Sequence, residues 1–238
     1  MARVARSPAR KGSAGTAPAV PPPSLATHLA PEPAADCDLC PRLATFRHEW
    51  HQAEPSWFNA PVPAFGPATA RLLIVGLAPG LRGANRTGRP FTGDYAGDLL
   101  YATLLHFGFA HGHYDARPDD GLTLKDARIV NAVRCVPPQN KPTPEEIRTC
   151  RRFLTPVFSE MPHLKAVVTL GKIAHDSTLA ALGAKASHLK FGHGASGDIG
   201  GLKVFASYHC SRYNTNTGVL TPAMFHAVFQ AARAFLAT

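Results

Sequence analysis

From residue 72 to the carboxyl end, short unbroken apolar runs alternate with longer segments in which apolar positions return every three or four residues. The first run, 72–77 (LLIVGL), is rich in aliphatic and β-branched residues and predicts a buried strand. A loop of glycines and polar side chains follows, APGLRGANRTGRPFTGD. Asp94 then stands where an N-cap opens a helix that carries Leu99, Leu100, Leu104 and Phe107 on one side. Further runs predict strands at 127–133, 166–170 and 203–208. Thr143-Pro144-Glu145-Glu146 has the form of a capping box with proline at the first helical position, so a helix starts there. Gly171-Lys172 turns into another helix that ends near Gly183, and Thr221-Pro222 opens the last one. Upstream, Cys37-x2-Cys40-Pro41 leads into a helical segment through about Gln52, followed by an irregular, proline-rich stretch. Residues 108–121, 192–201 and 209–218 read as loops.

Helices of ten or more residues between short apolar strands argue for an α/β fold, a parallel sheet covered on both faces. No internal repeat interrupts this order. In such a sheet the loop from Ala78, Asn131, Gly171-Lys172 and His209 all fall at carboxyl ends of strands, where ligands bind. Four polar clusters are thus expected along one edge.

The chain has 238 residues, 45% of them hydrophobic, which suffices for one sizeable core. Residues 1–30 hold Arg3, Arg6, Arg10 and Lys11, no acidic residue, and a Pro/Ala/Ser-rich run that cannot bury enough apolar surface to order itself. The expected organisation is a disordered basic tail, 1–34, and a single folded domain, 35–238. The formal charge of +9 points to an anionic partner, nucleic acid first. No apolar run approaches the roughly 20 residues of a membrane-spanning helix, and the expectation is a cytoplasmic protein without a membrane role.

The glycine loop has neither the GxxxxGK[ST] nor the GxGxxG spacing of the common phosphate-binding loops. A tight turn would account for Gly76 and Gly80, but not for Asn85, Arg86, Thr87, Arg89 and Asp94 gathered around Phe91, a grouping that suits a stacking surface rimmed by hydrogen-bonding groups. Asp94 reads equally as a plain N-cap and as a catalytic carboxylate. Cys37 and Cys40 join Cys135 and Cys150 as four thiolates that suit either a structural zinc site or an iron-sulfur cluster, while Cys210 is left as a small core residue. His209 ends a strand and begins a polar loop, a better place for chemistry than an apolar helix face. His111, His113 and His193 sit in glycine-rich loops and are read as solvated. Asn131 at the end of a buried strand needs partners for its amide.

GLAPGLRGANRTGRPFTGD, CDLC with NAVRCVPP and Cys150, and HCSRYNTNTG together resemble, in this order, the motifs of the uracil-DNA glycosylase superfamily, most closely its family five (UDGb) type. The resemblance runs from about Cys37 to the carboxyl end. It implies a three-layer α/β/α sandwich with a four-stranded parallel sheet, and a structural [4Fe-4S] cluster on Cys37, Cys40, Cys135 and Cys150. It also implies hydrolytic release of uracil and other deaminated bases such as hypoxanthine from double-stranded DNA, by a monomer. Carried over by motif, Asp94 orients water or stabilises the sugar cation, Phe91 stacks on the extruded base, and Asn131 bonds its pairing edge. His209 stabilises charge on the leaving base, and Gly76, Leu77 and Ala78 line the base site. Asn85, Arg86, Lys172, Ser211, Arg212, Tyr213 and Asn214 grip or enter DNA. Two departures stand out: Leu77 replaces the glutamate of family four, and Cys210 replaces a proline frequent in other families, which together suggest a looser base preference. The rival readings are a non-catalytic nucleic-acid-binding module on a four-cysteine zinc site, and a hydrolase of free nucleosides.

Overall fold

A computed structural model describes residues 1, 2 and 32–238. Helix α1 (Pro41–Ala53) precedes strand β1 (Leu72–Gly76). A short helix α2 (Ala84–Thr87) and helix α3 (Tyr95–His106) then lead to a small antiparallel pair, β2 (Ala110–His111) and β3 (Thr123–Leu124). Strand β4 (Ala127–Asn131) is followed by helices α4 (Pro144–Cys150) and α5 (Thr155–Glu160), and β5 (Ala166–Leu170) by α6 (Lys172–Ala181). The chain closes with β6 (Ser196–Ile199), β7 (Leu202–Ser207), α7 (Arg212–Asn216) and α8 (Pro222–Leu236).

The main sheet runs β4-β1-β5-β7-β6. Its first four strands are parallel and coincide with the four apolar runs of the sequence. Period-two alternation explains why those runs are unbroken: Leu72 and Ile74 of β1 enter one core cluster, Leu73 and Val75 the other, and all four are fully buried. Each such side chain contributes roughly 1.5–3 kcal/mol by leaving water. Leu100 and Leu104 of α3 with Phe225 and Phe229 of α8 fill one face, and Val157 of α5 with Ala174 and Leu179 of α6 fill the other. The three-layer expectation therefore stands.

The four-stranded, all-parallel expectation does not. A fifth strand, β6, lies within the 192–201 segment read as a loop and pairs antiparallel with β7, from Ser196↔Phe205 to Ile199↔Leu202. Gly200 and Gly201 form its two-residue turn with φ of +58° and +83°, the backbone a tight hairpin requires. The strand escaped notice because Ser196-Gly-Asp-Ile is polar enough for an edge and lacks an apolar run.

The capping box is present as read: the Thr143 hydroxyl accepts from Glu146 N at 3.2 Å, and the Glu146 carboxylate accepts from Thr143 N at 2.7 Å. The 209–218 loop contains the short helix α7, capped by Ser211. The tail at 3–31 lies outside the described residues. Glu32, placed within the tail by composition, is instead tied to the fold: its carboxylate accepts Arg134 Nη1 at 2.6 Å and Ala64 N at 3.1 Å. Among the described residues, no helix is long and apolar enough to cross a membrane.

Candidate active site

The site begins with Phe91, whose φ of +53° is uncommon for a side chain of that bulk. This left-handed turn directs the ring toward His209, which follows β7. The two ring centroids are 5.9 Å apart at an interplanar angle of 26°. Between the carboxyl ends of β1 and β7 lies a cavity of about 760 Å3 lined by Leu77, Ala78, Phe91, Asp94 and His209, with Arg82 and Arg212 among its basic residues. In the strand order β4-β1-β5-β7 the chain first moves to one side of β1 and then to the other, the reversal at which open α/β sheets bind ligands.

Asp94 is the N-cap that its position allowed, and it also reaches the cavity. Its Oδ1 accepts from Gly97 N at 3.3 Å as the N-cap of α3, and its carboxylate also borders the cavity. Gly80 and Gly83 explain how it fits: a methyl group on Gly80 would lie 2.8 Å from Oδ2, and one on Gly83 would collide with it outright. These glycines are the cradle of the carboxylate rather than features of a phosphate loop. Burial raises the Asp94 carboxyl above its ordinary range, against the backbone N–H groups of Gly97 and Ala96 that hold it down. Burial also depresses the His209 imidazole, from 6.5 to about 4, so the ring is neutral at physiological pH. Gly171, with φ of +92°, lets the backbone at the start of α6 pass the His209 side chain closely.

Asn131 is 3% exposed and does not line the cavity. It sits behind Phe91: a side chain on Gly76 would strike both the Asn131 amide oxygen and the edge of the Phe91 ring. That oxygen is buried and has no hydrogen-bond partner among the described residues, a free acceptor behind the stacking ring. Gly76 is thus buried under the site, whereas Leu77 and Ala78 reach the cavity.

The residues expected on DNA divide. Asn85 is fully buried and cannot touch it; its Nδ2 donates to Asn59 Oδ1 at 2.9 Å and braces the loop against the segment after α1. Ser211 caps α7 and still borders the cavity, while Asn214 Nδ2 donates to the His209 carbonyl at 2.8 Å, holding the backbone that carries the imidazole. Arg86, Lys172, Arg212 and Tyr213 are exposed, Tyr213 at 74%. Arg212 lies over the Tyr95 ring, 5.4 Å from its centroid, at the cavity rim. Arg89 is 5% exposed and faces the interior, not solvent. His193, read as solvated, bonds the Met224 carbonyl and accepts from Tyr208 N. Arg82, Tyr95 and Asn140 line the cavity without having been singled out. For Asn140 a signal existed in its turn between two prolines.

Cys135 and Cys150 are buried together with Leu43 and Val133, and Cys40 packs against them. Burial above all raises Cys40, Cys135 and Cys150, Cys135 to about 11 and Cys150 to about 12, and neighbouring thiols add to it, Cys37 acting on both Cys40 and Cys135. Arg47 Nη1 donates to Cys135 Sγ at 3.1 Å and Arg134 N to Cys150 Sγ at 3.2 Å. Among the described residues, no group of three His, Cys, Asp or Glu is arranged to hold a metal ion as it stands. Cys135 and Cys150 are enclosed, whereas Cys37 and Cys40 are partly exposed. Cys210 is 0% exposed and donates to the Ala96 carbonyl, a core residue as read.

Comparison with known proteins agrees with this layout. Residues 63–233 match the model of the uracil DNA glycosylase superfamily. The chain is 46% identical over 204 residues to the type-5 uracil-DNA glycosylase of Thermus thermophilus, covering 83% of this chain and 92% of that one. It is 38% identical over 208 residues to the type-5 enzyme of Pyrobaculum aerophilum, covering 84% and 88%. The type-4 uracil-DNA glycosylase of Thermotoga maritima is 33% identical over 147 residues, covering 61% and 67%. The matched span contains the whole sheet and every residue that lines the cavity, and the chain belongs to the uracil DNA glycosylase superfamily.

Proposed function

We propose that this protein is a uracil-DNA glycosylase of DNA repair, which hydrolyses the N-glycosidic bond of deoxyuridine and leaves an abasic site. The observation that carries the reading is the near-parallel facing of Phe91 and His209 on a cavity that also takes in Asp94, within a chain of this family. A base inside a duplex is out of reach, so it must be flipped into the cavity at a cost of a few kcal/mol of unstacking. Phe91 offers a ring face to stack on, and the Asn131 oxygen behind it would accept a proton donor on the base's pairing edge once that side chain turns toward the cavity. Cleavage leaves electron density on the departing base and positive charge on the sugar. Neutral His209 would donate a hydrogen bond to the base, and the Asp94 carboxylate would orient water or face the sugar cation. Such preorganised groups supply much of the rate enhancement in comparable sites.

The same reading extends to other deaminated bases such as hypoxanthine. Its support is Leu77: with an aliphatic side chain at the cavity wall, fewer buried polar groups would go unpaired when the base is not uracil. The exposed Arg86, Lys172 and Arg212 would hold phosphates of double-stranded DNA.

We further propose that Cys37, Cys40, Cys135 and Cys150 hold a [4Fe-4S] cluster. Two buried thiols, a third packed against them and Cys37 near enough to act on Cys40 and Cys135, with Arg47 and the Arg134 backbone N–H already directed at two of the sulfurs, suit a group bound by four thiolates. Bound there, the cluster would join the segment before α1, the end of β4 and the end of α4, a structural role.

The test is release of uracil, and separately of hypoxanthine, from defined duplexes. His209→Ala and Asn131→Ala should abolish most product at unchanged folding, and full activity in both would refute the assignment. Iron and sulfide at cluster stoichiometry in protein purified without air support the cluster. Stoichiometric zinc with no uracil release would support the binding-module rival instead.

A further inference from the structure

The segment that presents Phe91 is held from behind by residues that never reach the cavity. Arg89 Nη1 and Nη2 donate to the two carboxylate oxygens of Asp120 at 2.8 and 2.7 Å, a pair 31 positions apart whose carboxylate is fully enclosed. The Arg89 Nε donates to the Thr92 hydroxyl at 2.7 Å, and that hydroxyl donates to the Pro90 carbonyl. Tyr101 Oη donates to the same carbonyl at 2.6 Å, and Tyr114 Oη donates to the Phe91 carbonyl at 3.2 Å. The rings of Phe65, Tyr101 and Tyr114 surround the guanidinium at 5.4, 5.4 and 5.8 Å. Asp120 in turn accepts from Asp115 N and Leu122 N, which closes the loop from which it comes. Every residue from Arg89 to Thr92 is therefore gripped, and the grip spans the one residue of that segment with positive φ.

A backbone conformation that a bulky residue disfavours persists only where its surroundings enforce it. Freed of these bonds, Phe91 would relax to an ordinary φ and its ring would turn away from His209. We infer that Asp120, Tyr101 and Tyr114, through Arg89 and the carbonyls of Pro90 and Phe91, are positioning residues that hold the base-stacking ring in its working orientation. The inference rests on the uracil-excision reading. The loop at 112–122 has no residue in the cavity, yet it contributes to the reaction by fixing where the base can stack. Burial pushes Tyr114 up to about 12, so its hydroxyl remains a donor across the physiological range.

Tyr114→Phe is the mildest probe, since it removes one hydroxyl from a half-buried ring. Single-turnover uracil release should slow roughly fivefold, the equivalent of one hydrogen bond, with unchanged affinity for undamaged duplex and an unfolding midpoint lowered by no more than about 2–4 °C. The slowing should vanish when Tyr114→Phe is combined with Phe91→Leu, because there is then no ring to position. An equal slowing in both backgrounds would mean a general structural role and overturn the inference, as would no slowing at all. Absence of uracil release from the unmodified protein would instead refute the excision reading itself. Should Phe91→Leu be too slow to measure, a crystal structure of Asp120→Asn decides: Phe91 out of the left-handed region supports the inference, and Phe91 unmoved overturns it.

Discussion

The His209 imidazole makes a sharp prediction about pH. A histidine with an ordinary value of 6.5 is only about 3% neutral at pH 5, whereas one depressed to about 4 is still about 90% neutral there. If neutral His209 donates the hydrogen bond to the leaving base, single-turnover uracil release should stay nearly level from pH 7 down to 5 and fall steeply only below that. Asp94 adds its own decline as pH falls, because its carboxyl is raised and must be ionised to act; comparison with His209→Gln separates the two contributions. Stability moves in the same direction. Between 6.5 and about 4 the unfolded chain takes up a proton that the folded chain refuses, so folding loses free energy as pH falls through this interval. At about 1.4 kcal/mol per pH unit the loss is at most about 3.5 kcal/mol, and less where the ring borders water in the cavity. Denaturant unfolding across pH 4–8 reads it directly, and His209→Gln should lack that part of the slope. A rate that halves near pH 6.5, or a His209→Gln variant with the same pH slope of stability as the unmodified protein, would refute the reasoning.

Two further substitutions probe the site and the cysteines. Gly83→Ala puts a methyl group on the Asp94 carboxylate and should lower kcat/KM by about 10- to 100-fold, with the unfolding midpoint changed by only a few degrees; unchanged kinetics would mean that the carboxylate position does not matter. On the proposed [4Fe-4S] assignment, Cys210→Ala should cost about 1 kcal/mol of stability and leave any bound iron in place, whereas Cys150→Ala should remove it; metal analysis of the unmodified protein and both variants checks the division between ligand and core.

The sequence by itself determined the elements whose signals are local. The predominantly apolar runs at 72–77, 127–133, 166–170 and 203–208 read as buried strands and form β1, β4, β5 and β7, with Leu72 and Leu73 finding cores on opposite sides. Thr143 through Glu146 and Thr221-Pro222 marked helix starts because a cap is satisfied within four residues. The placing of Phe91, Asp94 and His209 at one sheet edge followed from strand order of this kind. What the tertiary structure alone decided was burial and partnership between distant segments. Asn85 and Arg89 look like Arg86 in the sequence, yet Asn85 is enclosed by Asn59 and Arg89 by Asp120, while Arg86 remains in solvent. Asp94 is both cap and cavity wall because Gly80 and Gly83 leave room for its second oxygen, a fit set by the loop's path rather than by spacing. Strand β6 forms because β7 offers it an edge, not because its own residues ask for one. A cap or an apolar period is completed by near neighbours in the chain; a buried polar side chain is completed by whatever the fold brings to it.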